Sequence, residues 1–221
     1  MNDDVSTIYR DRFANTGLAK RQRVWSVLCE DFFSKLIAPN STVLDVACGY
    51  GEFSNNITAA HKFAVDLNPD SPKYLNPDVV FTRTAATDLS AIKSDSIDVA
   101  FTSNFLEHLK SKDECNAVFA EIRRVLKPGG RFIVLGPNIR YCYAQYWDYY
   151  DHYLPLSDLS LAEGLRIANY DVVRVIDRFL PYTMNNNTPT RDFLVRLYLK
   201  MPFAWRFLGK QFLVIAQKKA S

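Results

Sequence analysis

The sequence predicts an α/β protein built on a parallel, doubly wound sheet, and three observations carry that prediction. Short apolar, β-branched runs alternate with amphipathic segments between residues 42 and 135, the pattern left by strands joined through crossover helices. The first run passes straight into Gly49-Tyr50-Gly51, a turn where backbone can approach a ligand without a Cβ in the way. The next run ends on Asp66, and a carboxylate at a strand tip can accept both hydroxyl protons of a ribose.

The elements follow in order. Val24, Trp25, Val27, Leu28, Phe32, Phe33 and Leu36 recur on one face of a helix over residues 19–37 that Pro39 stops. A short aromatic segment at residues 9–13 precedes it. Strands are expected at 43–47, 62–66, 79–83, 97–103 and 131–135, with a helix opening at Glu52 whose free N–H groups aim at the glycine turn. Ser111 and Glu114 form a capping box for a helix over 113–126. Its basic last turn and Lys127-Pro128-Gly129-Gly130 exit suit the negative end of the helix dipole.

The rhythm then breaks. Residues 137–157 carry Tyr141, Tyr143, Tyr146, Trp147, Tyr149, Tyr150 and Tyr153 at spacings that fit neither helix nor strand. They read as a lid over a site or as core beneath a long loop. A helix from about Ser160, with Glu163 completing a second capping box, leads to a strand at 171–179, a loop at 185–189, a helix at 191–200 and a final strand at 212–217.

At 221 residues, 48% hydrophobic and 23% charged, the composition suits a single domain with a sizeable core. A net charge of +3 without long basic runs does not point to nucleic acid. Cys29, Cys48, Cys115 and Cys142 are far apart and have no His at ligand spacing, so no metal is expected. The acidic start lacks a signal-type apolar core, no run reaches the ~18 residues of a membrane span, and reduced thiols suit a cytoplasmic setting. Residues 191–210 mix Phe and Trp with Arg and Lys. They read as a core-facing stripe or as a surface for peripheral membrane contact.

Five stretches in order, VLDVACGYGEF at 43–53, AVDLN at 64–68, TDL at 87–89, IDVAFTSNFLEHL at 97–109 and LKPGGRFIVLGPN at 126–138, resemble the motifs of the class I S-adenosylmethionine-dependent methyltransferases, those with small-molecule acceptors. The resemblance implies a Rossmann-like sheet of seven strands, mostly parallel with the last antiparallel and helices on both faces. It also implies an N-terminal helical cap over residues 1–38 and the lid. S-adenosylmethionine is the implied cofactor and S-adenosylhomocysteine the product. Asp45 would meet the methionine ammonium directly or through water, with the backbone of Ala47, Cys48, Gly49 and Gly51 lining that moiety. Asp66 would take the ribose hydroxyls, Leu67 would lie on the adenine, and Asp88, between Thr87 and Leu89, would accept its amino proton. Asn104 would close the site near the sulfonium. Arg23, on the leading helix, reads as a surface arginine, with contact to the cofactor carboxylate as the alternative.

Methyl transfer from a sulfonium needs alignment above all, and a base only for a poorly acidic acceptor. His108, in a Glu-His pair after the fourth strand, and His152, beside Asp151, are the candidates. The expected reaction is methylation of a small molecule, foremost at the oxygen of a sugar, glycan precursor or secondary metabolite. C-methylation of a quinone-like or lipid-linked substrate is the nearest alternative. A non-catalytic cofactor-binding subunit and an NAD-dependent oxidoreductase are the others, and Ser54, where a dinucleotide fingerprint places a third glycine, disfavours the last.

Overall fold

The computed structural model describes residues 17–182 and 191–219; the expected aromatic segment at 9–13 and the loop at 185–189 lie outside them. The strands β1 (Thr42–Val46), β2 (His61–Asp66), β3 (Val79–Arg83), β4 (Ile97–Ser103), β5 (Leu126–Pro137), β6 (Tyr170–Ile176) and β7 (Gln211–Lys218) form a seven-stranded sheet in the order β3-β2-β1-β4-β5-β7-β6. The described residues group into two compact units. One runs to Ala85 and takes in the segment ending at Pro202, and the other runs Ala86–Tyr182 and resumes at Phe203.

In the first unit, α1 (Leu18–Asp31) leads to β1 (Thr42–Val46), β2 (His61–Asp66) and β3 (Val79–Arg83). The three strands are parallel, with Asp45 opposite Ala64 and Asp66 opposite Arg83. Trp25 of α1 stacks on Phe33 at 6.2 Å, and Phe53 meets Phe33 edge-on at 5.8 Å. These rings bury the stripe legible in the sequence. The helix ends at Asp31, short of the expected 37, and Phe33–Lys35 tightens into a 3₁₀ turn.

The helix expected from Glu52 is a run of turns. Asn55 N–H bonds to Gly51 O at 2.9 Å and Ile57 N–H to Phe53 O at 3.0 Å, but no helix develops. Asn55 and Asn56 explain why: their side-chain amides bond to the carbonyls of Tyr74 and Glu52, both at 2.8 Å, and so compete with a helical ladder. In the same unit α5 (Asp192–Leu199) is tied to α1 by Arg196, which pairs with Glu30 at 2.6 Å and Asp31 at 2.5 Å.

The second unit holds β4 (Ile97–Ser103), α2 (Lys112–Val125), β5 (Leu126–Pro137), α3 (Ile139–Tyr146), α4 (Asp158–Ile167), β6 (Tyr170–Ile176), α6 (Pro202–Leu208) and β7 (Gln211–Lys218). β4 and β5 are parallel, and β7 lies antiparallel between β5 and β6, with Ile133 opposite Ile215. α2 buries Cys115, Val118, Phe119, Ile122 and Val125, a single helical stripe. Ser111 accepts from Glu114 N–H at 3.1 Å, while Glu114 reaches back to Lys110 N–H, one residue before the position a capping box uses. β5 starts at Leu126, earlier than expected, because Leu126 pairs with Ile97 before a register shift around the Pro-Gly-Gly. β6 stops at Ile176, short of the expected 179.

The second capping box joins Ser157 and Ser160, with α4 starting at Asp158; Glu163 takes no part in it. A serine hydroxyl can both donate and accept, so Ser160 fills the role expected of an acid. The aromatic stretch is partly helical. α3 spans eight residues with a non-helical Cys142 inside it, and this break is what scrambles the spacing. Tyr146 is fully buried, whereas Tyr143, Trp147, Tyr150 and Tyr153 are exposed. Phe193 and Leu197 on α5, and Phe203 and Phe207 on α6, are also exposed, so only Leu199 and Trp205 answer the core-facing reading. No helix among the described residues is long and apolar enough to cross a membrane.

Candidate functional site

In the first unit the chain leaves β1 through three left-handed residues, Ala47 (φ 58°), Gly49 (φ 55°) and Gly51 (φ 72°). Cys48 N–H bonds to Val65 O at 3.1 Å and Gly51 N–H to Cys48 O at 2.9 Å, which folds the turn over the end of β2. Glycine is required at 51: a methyl group there would run into Leu75 Cδ2 and come within 3.1 Å of the Asn55 amide nitrogen. Gly51→Ala is expected to destabilise the protein by about 1–3 kcal/mol, read from urea midpoints; an unchanged midpoint would mean that the loop relaxes freely.

Two buried carboxylates hold this turn. Asp66 Oδ2 accepts from Gly49 N–H and Oδ1 from Asn68 N–H, both at 2.8 Å. Asp45 Oδ2 accepts from the Ser54 N–H at 3.3 Å and from the Ser54 hydroxyl. Ser54 thus has a task of its own where a third glycine would stand: it anchors the turn to the acid of β1. Burial pushes the Asp45 carboxyl up to about 7 against the pull of the Ser54 bonds, with the Glu52 and Asp66 charges adding to the rise. Burial also raises Asp66, against the Asn68 and Gly49 amides.

Leu67 is half exposed. Asn68 is buried, accepts from Asp70 N–H at 3.0 Å, and its Nδ2 has no hydrogen-bond partner among the described residues. Arg23 lies exposed on α1. The arginine beside the turn is Arg21, which is buried, pairs with Glu52 at 2.7 Å and sits 5.8 Å from the Tyr50 ring centroid. Its position one turn before Trp25, on the buried face of α1, was the available signal.

In the second unit Thr87 is half-buried and Asp88 is exposed. Asp88 accepts from Ser90 N–H at 3.1 Å, and bonding to Ser90 holds its carboxyl below the usual range. Leu89 is buried, with its N–H on Glu121 at 2.8 Å. Asn104 is exposed and left-handed (φ 49°), its N–H on Leu135 O at 2.9 Å and its side-chain amide on Ser103 Oγ at 3.0 Å.

The same unit brings His108 and His152 together. The Glu107 carbonyl accepts from Tyr153 N–H at 2.8 Å and Leu154 N–H at 3.1 Å, which lays the segment after α3 along the 3₁₀ turn Leu106–His108. The two imidazole centroids are 5.0 Å apart. Asp151 holds His108 rather than its neighbour His152: Nδ1 of His108 lies 3.1 Å from Oδ2 and 3.0 Å from the backbone carbonyl. His152 is packed between Tyr146 (4.7 Å) and Tyr149, stacked at 4.8 Å, with Tyr182 Oη 3.4 Å from its Nδ1. Burial alone would lower the pKa of His108, but the Asp151 hydrogen bond and the Glu107 and Asp151 charges outweigh it, and the net direction is up.

A family model for the methyltransferase domain matches residues 44–134. Over 112 residues the chain is 30% identical to the ribosomal RNA large subunit methyltransferase E of Archaeoglobus fulgidus, covering 45% of this chain and 59% of that protein. Over 113 residues it is 34% identical to the 2-methyl-6-phytyl-1,4-hydroquinone methyltransferase of Synechocystis sp., covering 47% and 34%. The fold is similar to that of a solved SAM-dependent methyltransferase from Archaeoglobus fulgidus, with a TM-score of 0.66, 18% identity, and 96% and 99% of the two chains covered. Together with the strand order and the glycine turn these matches define a class I methyltransferase fold. The match to the methyltransferase domain is confined to residues 44–134, and the chain spans 59% and 34% of the two curated relatives it matches.

Proposed function

We propose that this chain binds S-adenosylmethionine on the turn after β1 and directs its methyl group to an oxygen of a small acceptor. One observation carries the cofactor half: Asp66 is buried at the tip of β2, already bonded to the Gly49 amide, and two residues on lies the orphaned Nδ2 of Asn68. Each Asp66 oxygen accepts one backbone N–H and keeps capacity for a ribose hydroxyl, while a ligand oxygen would satisfy the Asn68 donor. Asp45 would favour a nearby ammonium, and the backbone of Ala47, Cys48, Gly49 and Gly51 offers a wall with little side chain. Arg21 is proposed in place of Arg23 for the cofactor carboxylate. The resemblance alone, without geometry, carries the same proposal for Leu67, Thr87, Asp88, Leu89 and Asn104.

When bound, the cofactor supplies a methyl group already activated by a sulfonium charge, so the chain's task is to position the acceptor and ease loss of its proton. We assign the acceptor end to the Glu107–His108–His152 group; the exposed Tyr143, Trp147 and Tyr153 lie on the same stretch of chain as His152, and such rings suit an apolar or sugar-like molecule. Two relatives are named for other acceptors, a ribosomal RNA and a hydroquinone, and the alternative for this chain is a quinone-like acceptor methylated at carbon. Incubation with methyl-labelled S-adenosylmethionine and a fractionated cell extract tests this reading. Label in a small molecule at oxygen is expected; label confined to RNA or protein would overturn it. Calorimetry with S-adenosylhomocysteine against NAD tests the cofactor, and heat only with NAD would refute it.

A further inference from the structure

We infer that Glu107, His108 and His152 form a binding site for one divalent transition-metal ion of the zinc class. One ligand atom from each, two imidazole nitrogens and a carboxylate oxygen, lie within 4.8 Å of one another. Two imidazoles and a carboxylate suit zinc-class ions, and three protein ligands leave coordination positions open. Ligands about 2.1 Å from a tetrahedral ion stand ~3.4 Å apart, so closure by at most about 1.4 Å completes the site.

The surroundings support the assignment. Asp151 engages Nδ1 of His108 through both its carboxylate and its carbonyl, which fixes the tautomer and leaves Nε2 as the ligand atom, the carboxylate–histidine arrangement that orients metal-binding imidazoles. Tyr149 stacks on the His152 ring and Tyr146 packs against it at a tilt, which limits its rotation, and Tyr182 Oη faces its Nδ1. Glu107 is buried and borders a small, mostly apolar cavity lined by Leu106, Gly136, Tyr146, Leu154 and Phe212. A carboxylate in such a place is strongly stabilised by a cation. No short spacing betrays the site, because its ligands come from the turn after β4 and from the segment after α3.

Metal binding does not rest on the methyl-transfer reading. Only the use to which we put it does: the open positions would take oxygens of a hydroxyl-bearing acceptor. The test is titration of the chelator-treated full chain with Co²⁺, followed by visible absorption, with Zn²⁺ as competitor. One saturable equivalent is expected, displaced by Zn²⁺. His108→Ala and His152→Ala should each weaken binding by roughly 100-fold or more, and Asp151→Asn by about 10- to 100-fold at unchanged stoichiometry. Absence of saturable binding, or unchanged affinity in the folded double histidine variant, overturns the inference. Should that variant fail to fold by circular dichroism, X-ray absorption of the Zn²⁺-loaded wild type decides: two nitrogens and one oxygen from protein support the site, and sulfur ligation refutes it. Calorimetry with S-adenosylhomocysteine on the same metal-free preparation separates the two readings, since retained cofactor binding without metal binding sinks only this one.

Discussion

Asp66→Ala is expected to weaken S-adenosylhomocysteine binding by about 1.5–3 kcal/mol, roughly 10- to 150-fold. The reasoning starts from the sheet. β2 carries a buried run that ends on an acid, and parallel pairing with β1 puts that acid against the turn that follows β1. Its Oδ2 accepts from Gly49 N–H and its Oδ1 from Asn68 N–H, one bond each, so the carboxylate is fixed before any ligand arrives and keeps acceptor capacity. Pre-set acceptors lose little freedom on binding, and bonds between an ionised group and hydroxyls are the stronger kind. The alanine variant also leaves the Gly49 amide without its partner. A stability loss of about 1–3 kcal/mol should therefore accompany the affinity loss. Calorimetry on the variant, with thermal unfolding to confirm that it is folded at the working temperature, checks both. A folded Asp66→Ala protein with unchanged affinity would remove the ribose role.

Much of this architecture was legible in the residues, and the misses have physical causes. Strand positions followed from β-branched runs bounded by turn residues, and β1, β2, β4 and β7 lie within a residue or two of expectation. The helix expected from Glu52 failed because Asn55 and Asn56 can satisfy backbone carbonyls with their own amides, a competition that periodicity does not register. The aromatic stretch hid α3 because the break at Cys142 divides it, and because its rings serve two masters: Tyr146 is core and Tyr143 faces solvent. At the site, the residue types were visible but not their pairings. Asp151 stands next to His152 in sequence yet bonds to His108, since neighbouring side chains diverge while the Glu107 carbonyl draws the distant segment alongside. Arg21 and Arg23 carry the same charge two residues apart, and only the helix face separates them: Arg21 is buried and Arg23 is exposed.

The stability of the ligand-free protein is expected to fall as the pH rises from about 4 to above 7, and Asp45→Asn should flatten that fall. Burial raises the folded-state carboxyl of Asp45 to about 7, against an unfolded value of about 3.9. Between these values the folded chain holds a proton that the unfolded chain has released, so the contribution is complete below about pH 4 and is lost as the pH passes 7. By linkage its upper bound is about 4 kcal/mol. Asp66, also raised by burial, acts in the same direction. Asp88 and Glu121, whose carboxyls are lowered by bonds to Ser90 and Arg124, act oppositely, but both lose their contribution only in more acidic solution. Urea midpoints at pH 5 and pH 8 for the wild type and Asp45→Asn provide the measurement, and equal slopes in the two proteins would refute the assignment. The same titration links to the cofactor. An ammonium brought near Asp45 favours the ionised form, so S-adenosylhomocysteine binding near pH 6.5 should release a fraction of a proton. Calorimetry in two buffers of different ionisation enthalpy measures that release, and Asp45→Asn should abolish it.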